Sequence, residues 1–182
     1  NIFFDFRALW GESRLADALR ADIAAHAQAN PRFLKQMSDN ALSNRPPLNW
    51  RGELQAVEGD SGVEGIDLKM SGSVPFVDAA RIFALAAGVT ATNTVDRLTQ
   101  AAAARGVPVE EIRAWCDAFE YVQLLRLREQ HRRVAHGARD GESANPNVVP
   151  LAMLPDLDRR ILKEAMRQIR KVQQRLELDY PG

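Results

Sequence analysis

The sequence predicts a mainly α-helical protein: a helical bundle of five to six helices with one small β-hairpin. Two observations support this prediction. Apolar residues recur at helical spacing in segments along most of the chain, and a single region, at about residues 50–70, instead shows the two-residue alternation of strands. The 182 residues are enough for one domain with a substantial core, and consecutive helices joined by short turns pack naturally as a bundle.

The first ten residues look different from the rest. Apolar side chains surround Asp5, a pattern that predicts the end of a strand; they are Ile2, Phe3, Phe4 and Phe6. The chain begins at Asn1 rather than methionine, as is typical of a piece of a longer protein. We therefore expect residues 1–10 to be a remnant of the last strand of an upstream domain, and residues 11–182 to form the helical domain.

Two helices are predicted next. Gly11 breaks the chain, Ser13 can cap, and Leu15, Leu19 and Ile23 follow at helical spacing. Pro31 interrupts this helix, and a second helix is expected at about residues 32–43.

The hairpin follows. One short run contains Leu54 and Val57, and a second run alternates apolar residues with Asp67 and Lys69; its apolar members are Ile66, Leu68 and Met70. Turn-forming residues lie between the runs, at positions 59–62.

The next helix begins near Pro75 and is apolar on nearly every side, so we expect it to be central and buried. Gly88 ends it. Thr92 or Asn93 then caps a shorter helix that ends at Gly106.

Two long helices complete the bundle. One runs from Pro108 to about Ala135, and after a polar loop another begins at Asp156. The expected apolar face of the helix that begins at Pro108 consists of Ile112, Trp115, Phe119, Val122, Leu125 and Leu127. The expected apolar face of the helix that begins at Asp156 consists of Leu157, Ile161, Ala165, Ile169, Val172 and Leu176.

Composition argues against several classes of function. Lys plus Arg and Asp plus Glu both total 24, so the net charge is zero, whereas domains that bind nucleic acid by bulk electrostatics are usually strongly basic. Cys116 is the one cysteine, and His26, His131 and His136 have no neighbours at metal-ligand spacing. We expect no metal site, no membrane span, no nucleic-acid partner and a cytoplasmic location.

The pair Asp78 and Arg81 is unusual because it lies in the most apolar helix of the chain. At a spacing of three residues the two side chains share a helix face and can pair. One interpretation is a structural ion pair. The other is that Arg81 points into a cleft and binds an anion such as a phosphate, with Asp78 orienting it.

Four further positions carry candidate binding groups. Lys69 precedes a helix N-terminus, a place that attracts anions, and Arg97 lies one turn beyond the expected cap Asn93. Arg126 belongs to the densest basic run of the chain, which usually forms a solvated helix end. Arg126 and His131 also fit the loose spacing of HEPN-type helical ribonucleases, and this is an alternative function.

Six segments of the chain together resemble a known family. They are "FDFRALWGESRLADALR", "IDLKMSGSVPFVDAARIFALAAGV", "NTVDRL", "AFEYVQLLRLREQ", "NPNVVP" and "LKEAMRQIRKVQQRL". In this order they resemble the putative nucleotidyltransferase substrate-binding domain of bacterial signal-transduction proteins. In that family the domain follows a nucleotidyltransferase domain similar to the PII-protein uridylyltransferase, with cyclic-nucleotide-binding and CBS modules further upstream.

The resemblance implies that catalysis and substrate binding belong to different domains. The upstream domain would carry the catalytic carboxylates, Mg²⁺ and a nucleoside triphosphate, so this chain would contain no catalytic residue and no cofactor and would be inactive alone. Its expected partners are the nucleotidyltransferase domain of the same chain and an acceptor protein; a homodimer, or a pure interaction or dimerisation module, is also open. The polar positions expected to contact substrate or nucleotide are Lys69, Asp78, Arg81, Asn93, Arg97, Arg126 and Gln130.

Overall fold

The computed structural model describes residues 2–58, 64–135 and 145–181. Within these ranges the fold is mainly helical, with six α-helices and a small antiparallel hairpin, as the sequence predicts. The helices are α1 (Arg14–Gln28), α2 (Pro31–Ala41), α3 (Val74–Ala87), α4 (Thr94–Arg97), α5 (Val109–Ala135) and α6 (Asp156–Asp179).

Helix α3 is the centre of the bundle, as its apolar composition predicts. It packs against α1, α2, α4 and α6. Phe76 and Ile82 are fully buried, and the Phe83 ring stacks on Trp115 of α5 with centroids 6.1 Å apart. By length and composition Leu68–Ala87 could span a membrane, but 67% of its most apolar window is buried inside the fold. Its apolar character therefore serves the core of this domain.

The two long helices α5 and α6 pack against each other and close the core. Ile112, Trp115, Val122 and Leu125 of α5 are buried, as predicted. Three predicted core positions are instead exposed because they lie off the buried face of their helices: Leu127 is two residues beyond the buried Leu125, and Leu157 and Ile161 each precede a buried residue, Asp158 and Leu162.

The sheet has one strand more than the sequence predicts. Strand β1 (Val57–Glu58) pairs antiparallel with β2 (Glu64–Asp67), which confirms the hairpin; its predicted turn, residues 59–62, lies outside the described residues. On its other side β2 pairs with β3 (Val148–Val149), within the segment predicted as loop. Gly65 makes this close approach possible, since a Cβ there would lie 2.7 Å from the Val149 carbonyl oxygen.

Two π-helical segments flank the central helices. Strand β2 ends at Asp67, and Leu68–Ser73 form a π-helix that leads into α3, so the predicted alternation stops early and Met70 is 44% exposed. Leu98–Ala102 form a second π-helix directly after α4. Gly88 and Gly106 end the helical segments with positive φ, as predicted.

The N-terminal segment differs from its prediction. Ile2–Asp5 form a 3₁₀ turn rather than a strand. The turn is held by contacts with the helical domain: the Phe4 ring packs against Phe33 of α2, with centroids 6.0 Å apart, and Asp5 pairs with arginines of α3 and α4. In α1, Ser13 makes no side-chain cap, and Leu15 and Leu19 are exposed.

Candidate functional site

Five of the seven side chains predicted to bind ligand lie in two clusters, and the other two lie at the starts of two different helical segments. Asp78, Arg81 and Arg97 converge on Asp5, and we call these four residues the N-terminal arginine cluster. Arg126 and Gln130 reach a loop before β3, where they join Asp67, Asn145 and Asn147; these five form the loop cluster. Lys69 and Asn93 each lie at the start of a helical segment.

Asp5 bridges two helices in the N-terminal arginine cluster. Arg81 donates from Nη2 to Asp5 Oδ2, and Arg97 donates from Nη1 to Asp5 Oδ1, both at 2.6 Å. Arg81 also donates from Nη1 to Asp78 Oδ1 at 2.7 Å. Arg97 also donates from Nε to the carbonyl oxygen of Ala91 at 2.7 Å and from Nη2 to the carbonyl oxygen of Phe4 at 3.1 Å. The two guanidiniums are thus held by both helices and the N-terminal segment.

Burial gives this cluster its electrostatic character. Arg81 is 4% exposed, Arg97 5% and Asp78 7%, so their charges are almost removed from water. Burial alone would raise the pKa of Asp5, but the hydrogen bonds and positive charges of Arg81 and Arg97 outweigh it and hold that pKa below its ordinary value. Asp5 therefore stays ionised and neutralises the arginines.

The loop cluster is organised around Asn147. Its Oδ1 accepts from Arg126 Nε at 2.7 Å and from Gln130 Nε2 at 3.4 Å, and its Nδ2 donates to Asn145 Oδ1 at 3.0 Å. Asn145 Nδ2 donates in turn to Asp67 Oδ2 at 2.8 Å. This chain of hydrogen bonds connects the C-terminal half of α5 to the end of β2.

Asp67 and Asn93 act as helix caps. Asp67 Oδ1 accepts from the backbone N–H groups of Lys69 and Met70, at 2.8 and 2.9 Å. Asn93 Oδ1 accepts from those of Val95 and Asp96, at 2.8 and 3.3 Å, which confirms the predicted cap of α4. Lys69 itself is exposed, and among the described residues no acidic group lies within ion-pair distance of its amine.

Several residues that the sequence analysis did not single out lie in the loop cluster or make polar contacts near it. Asn145 and Asn147 belong to "NPNVVP", which was noted as a motif but given no role, and their Asn-x-Asn pattern is a recognisable turn signal. Arg133 donates from Nη2 to the Val148 carbonyl oxygen at 2.6 Å. Glu129, which is 7% exposed, pairs with Arg132 at 2.6 Å. The hydrogen bond from Arg132 outweighs burial and lowers the pKa of Glu129.

The pair proposed for a ribonuclease is not brought to one place. Arg126 binds Asn147, whereas His131 lines a cavity of about 680 Å³ with Arg128, Arg132 and Met153 beside the start of α6. The geometry therefore offers no joint site for Arg126 and His131. In the parts of the chain that the structure describes, no three His, Cys, Asp or Glu side chains are grouped to hold a metal ion.

Comparison with known proteins identifies one family. The family model described as "Putative nucleotidyltransferase substrate binding domain" matches residues 31–180. The match includes both π-helices, the sheet, α2–α6 and the whole loop cluster, whereas Asp5 and α1 precede it. No curated protein and no solved structure matches the chain.

Proposed function

Because this chain belongs to the family of putative nucleotidyltransferase substrate-binding domains, we propose that it binds a substrate for a nucleotidyltransferase region of the same protein. The family name implies such a region in the same chain. The match over residues 31–180 is the observation that carries the proposal. In this proposal the chain has no catalytic group of its own.

The loop cluster, with Lys69 beside it, is the surface that we assign to the substrate. Arg126 uses Nε to bind Asn147, and its two terminal nitrogens donate no hydrogen bond to another described residue. Gln130 is partly exposed and makes one long hydrogen bond, and Lys69 is exposed. These groups keep donors for an anionic or carbonyl-bearing ligand, and Asn147 orients the guanidinium plane toward it.

The N-terminal arginine cluster is a less suitable place for the substrate in this state. Its two arginines are nearly inaccessible and already face two carboxylates, Asp5 and Asp78. Their pairing supports a structural role for Asp78, Arg81 and Arg97, and Asn93 serves the same region as the cap of α4. The structural interpretation of the Asp78–Arg81 pair is thus the one that the contacts favour.

The finer proposal follows the family resemblance. The upstream region would be similar to a protein uridylyltransferase and would hold Mg²⁺ and the nucleoside triphosphate through its own carboxylates. The present domain would place the acceptor, for which we propose a protein hydroxyl, against that nucleotide. Regulation by cyclic-nucleotide-binding and CBS modules, and a bacterial cytoplasmic setting, complete the proposal.

The test uses the full-length protein and a labelled nucleoside triphosphate. Transfer of label to proteins of the host extract is measured with wild type, Arg126→Ala and Arg113→Ala. Arg113 is the matched control, since it is an exposed arginine of the same helix with no described side-chain partner. We expect Arg126→Ala to lower kcat/KM at least about tenfold, equivalent to roughly 1.4 kcal/mol, and Arg113→Ala to change it less than about twofold.

Two results would count against the proposal. Equal labelling by Arg126→Ala and wild type would show that the loop cluster does not bind the substrate. Undiminished labelling after deletion of residues 31–180 would show that this domain presents no substrate at all. Melting temperatures of each variant separate a lost contact from lost folding.

A further inference from the structure

Asp5 binds the arginines from the surface of the domain, as a bound ligand would, and is not part of the buried core. Its carboxylate is 31% exposed, whereas the arginines that hold it are 4% and 6% exposed in their side chains. The arginines come from α3 and α4, inside the region that the family model matches, and Asp5 comes from a 3₁₀ turn before it. The two guanidiniums thus form a positively charged binding site, and a segment that precedes the matched region occupies it.

The site formed by Arg81 and Arg97 has more hydrogen-bond donors than Asp5 can satisfy. Asp5 gives one oxygen to Arg81 and the other to Arg97, while the Nε of Arg81 is buried without an acceptor among the described residues. The Nε of Arg20 is buried and unsatisfied in the same way. Arg20, Arg81 and Arg97 line one small cavity of about 20 Å³, which is room for about one oxygen-sized atom.

The balance of charge depends on the same carboxylate. Arg81 and Arg97 carry two positive charges, and Asp78 and Asp5 carry two negative ones. Without Asp5 the group keeps one net positive charge in a buried place, which is unfavourable unless an anion replaces it. A phosphate group, with a charge of about −1.5 to −2 at neutral pH, more than offsets this positive charge, and its third oxygen supplies an acceptor for the unsatisfied N–H of Arg81. A tetrahedral phosphate therefore matches the donor set better than the planar carboxylate does.

We infer that Arg81 and Arg97 form a phosphate-binding site in which Asp5 is the built-in occupant. A phosphate-bearing ligand and the N-terminal segment then compete for the same two guanidiniums, so binding of the ligand releases the turn that contains Phe4 and Asp5. This site is separate from the loop cluster and does not depend on the substrate surface proposed there. Its Asp5 side is the partly exposed one, so a ligand enters where Asp5 leaves.

The experiment removes the occupant and supplies inorganic phosphate as the probe. Wild type, Asp5→Ala and Asp22→Ala are titrated with phosphate against chloride at constant ionic strength, and the Arg Nε–H resonances are followed by NMR. Asp22 is the control, an exposed aspartate of α1 that pairs with His26 instead. We expect Asp5→Ala to bind phosphate at least tenfold more tightly than wild type or Asp22→Ala, with shifts at Arg81 and Arg97.

Each possible result of this experiment either supports or overturns the phosphate site. Folding of Asp5→Ala in phosphate but not in chloride supports the site as much as the NMR titration does. Equal phosphate affinity of Asp5→Ala and wild type overturns the inference, and so do shifts confined to arginines other than Arg81 and Arg97. If Asp5→Ala stays unfolded in both salts, phosphate cannot replace the carboxylate and the inference is equally overturned.

Discussion

The N-terminal arginine cluster and the loop cluster both contain arginine and aspartate, but their arginines differ in burial and in partners. In the first, Arg81 and Arg97 are nearly sealed and their charges are balanced by Asp5 and Asp78. In the second, Arg126 is partly exposed and meets the neutral amide of Asn147. Removing a guanidinium that is buried and neutralised leaves an unpaired charge in the core, whereas a guanidinium that is oriented by an amide has no carboxylate to balance its charge.

The difference follows from where each arginine lies on its helix. Arg81 is in the middle of α3, the most buried helix, so its charge must be balanced by the protein itself. Arg126 lies on a side of α5 that faces residues 145–147 rather than the core. Stability should therefore depend strongly on the first cluster and weakly on the second.

The largest effect is expected for Arg81→Ala. The substitution takes the guanidinium away from the buried carboxylate of Asp78 and leaves Asp5 with Arg97 alone. Breaking one side of a buried ion pair costs about 3–5 kcal/mol, so we expect a fall of that size in the free energy of unfolding, measured by urea denaturation.

The control for Arg81→Ala is an exposed pair. Lys163 and Glu53 approach to 3.1 Å with side chains 29% and 53% exposed, so Lys163→Ala should cost only about 0–1 kcal/mol. A loss of less than about 1 kcal/mol for Arg81→Ala would remove the contrast in stability between the two clusters.

A smaller effect is expected for Asn147→Ala. The variant removes one acceptor shared by Arg126 and Gln130 and one donor to Asn145, in a cluster that water reaches. At the usual net value of a hydrogen bond, we expect a loss of about 1–2 kcal/mol in urea denaturation. We expect the free energy of substrate binding by the full-length protein to fall by more than the free energy of unfolding does, because Arg126 loses its orientation.

The matched control is Asn40→Ala. Asn40 is exposed at the end of α2, and its side chain makes no hydrogen bond to the described residues, so the change should stay within about 0.5 kcal/mol. If Asn147→Ala is as neutral as Asn40→Ala in both stability and substrate binding, the loop cluster is not an organised site.

The helices and the central place of α3 were predictable because their signals are local. Apolar spacing, Pro75 in the first turn, and Gly88 and Gly106 at helix ends each act within a few residues of the chain. The hairpin was predictable for the same reason. The cap Asn93 was also visible, since an Asn before a helix satisfies that helix's own N–H groups.

The assembly of the clusters was not predictable, because it depends on contacts distant in the chain. Asp5 and Arg97 are 92 residues apart, and Asp67 and Asn145 are 78 apart. The strand β3 has two residues, too few to show an alternating pattern. The apolar run around Asp5 resembled a strand because aromatic residues favour strands; its packing on Phe33 and the arginines makes it a 3₁₀ turn instead.

The smallest expected effect is the pH dependence contributed by Asp5. Its pKa in the folded protein lies below the ordinary value of 3.8: burial opposes this shift, but the hydrogen bonds and charges of Arg81 and Arg97 outweigh it. A carboxyl with a depressed pKa stabilises the fold fully above its unfolded pKa and loses that contribution as pH falls through the folded one.

Wild type and Asp5→Asn, compared in chloride without phosphate, should therefore differ by a constant free energy of unfolding at neutral pH, and the difference should shrink below about pH 4. The effect is modest because water screens a side chain that is 31% exposed. A difference that stays the same from pH 7 to pH 3 would mean that Asp5 does not pair with the arginines in solution, and the N-terminal arginine cluster would then be as open as the loop cluster.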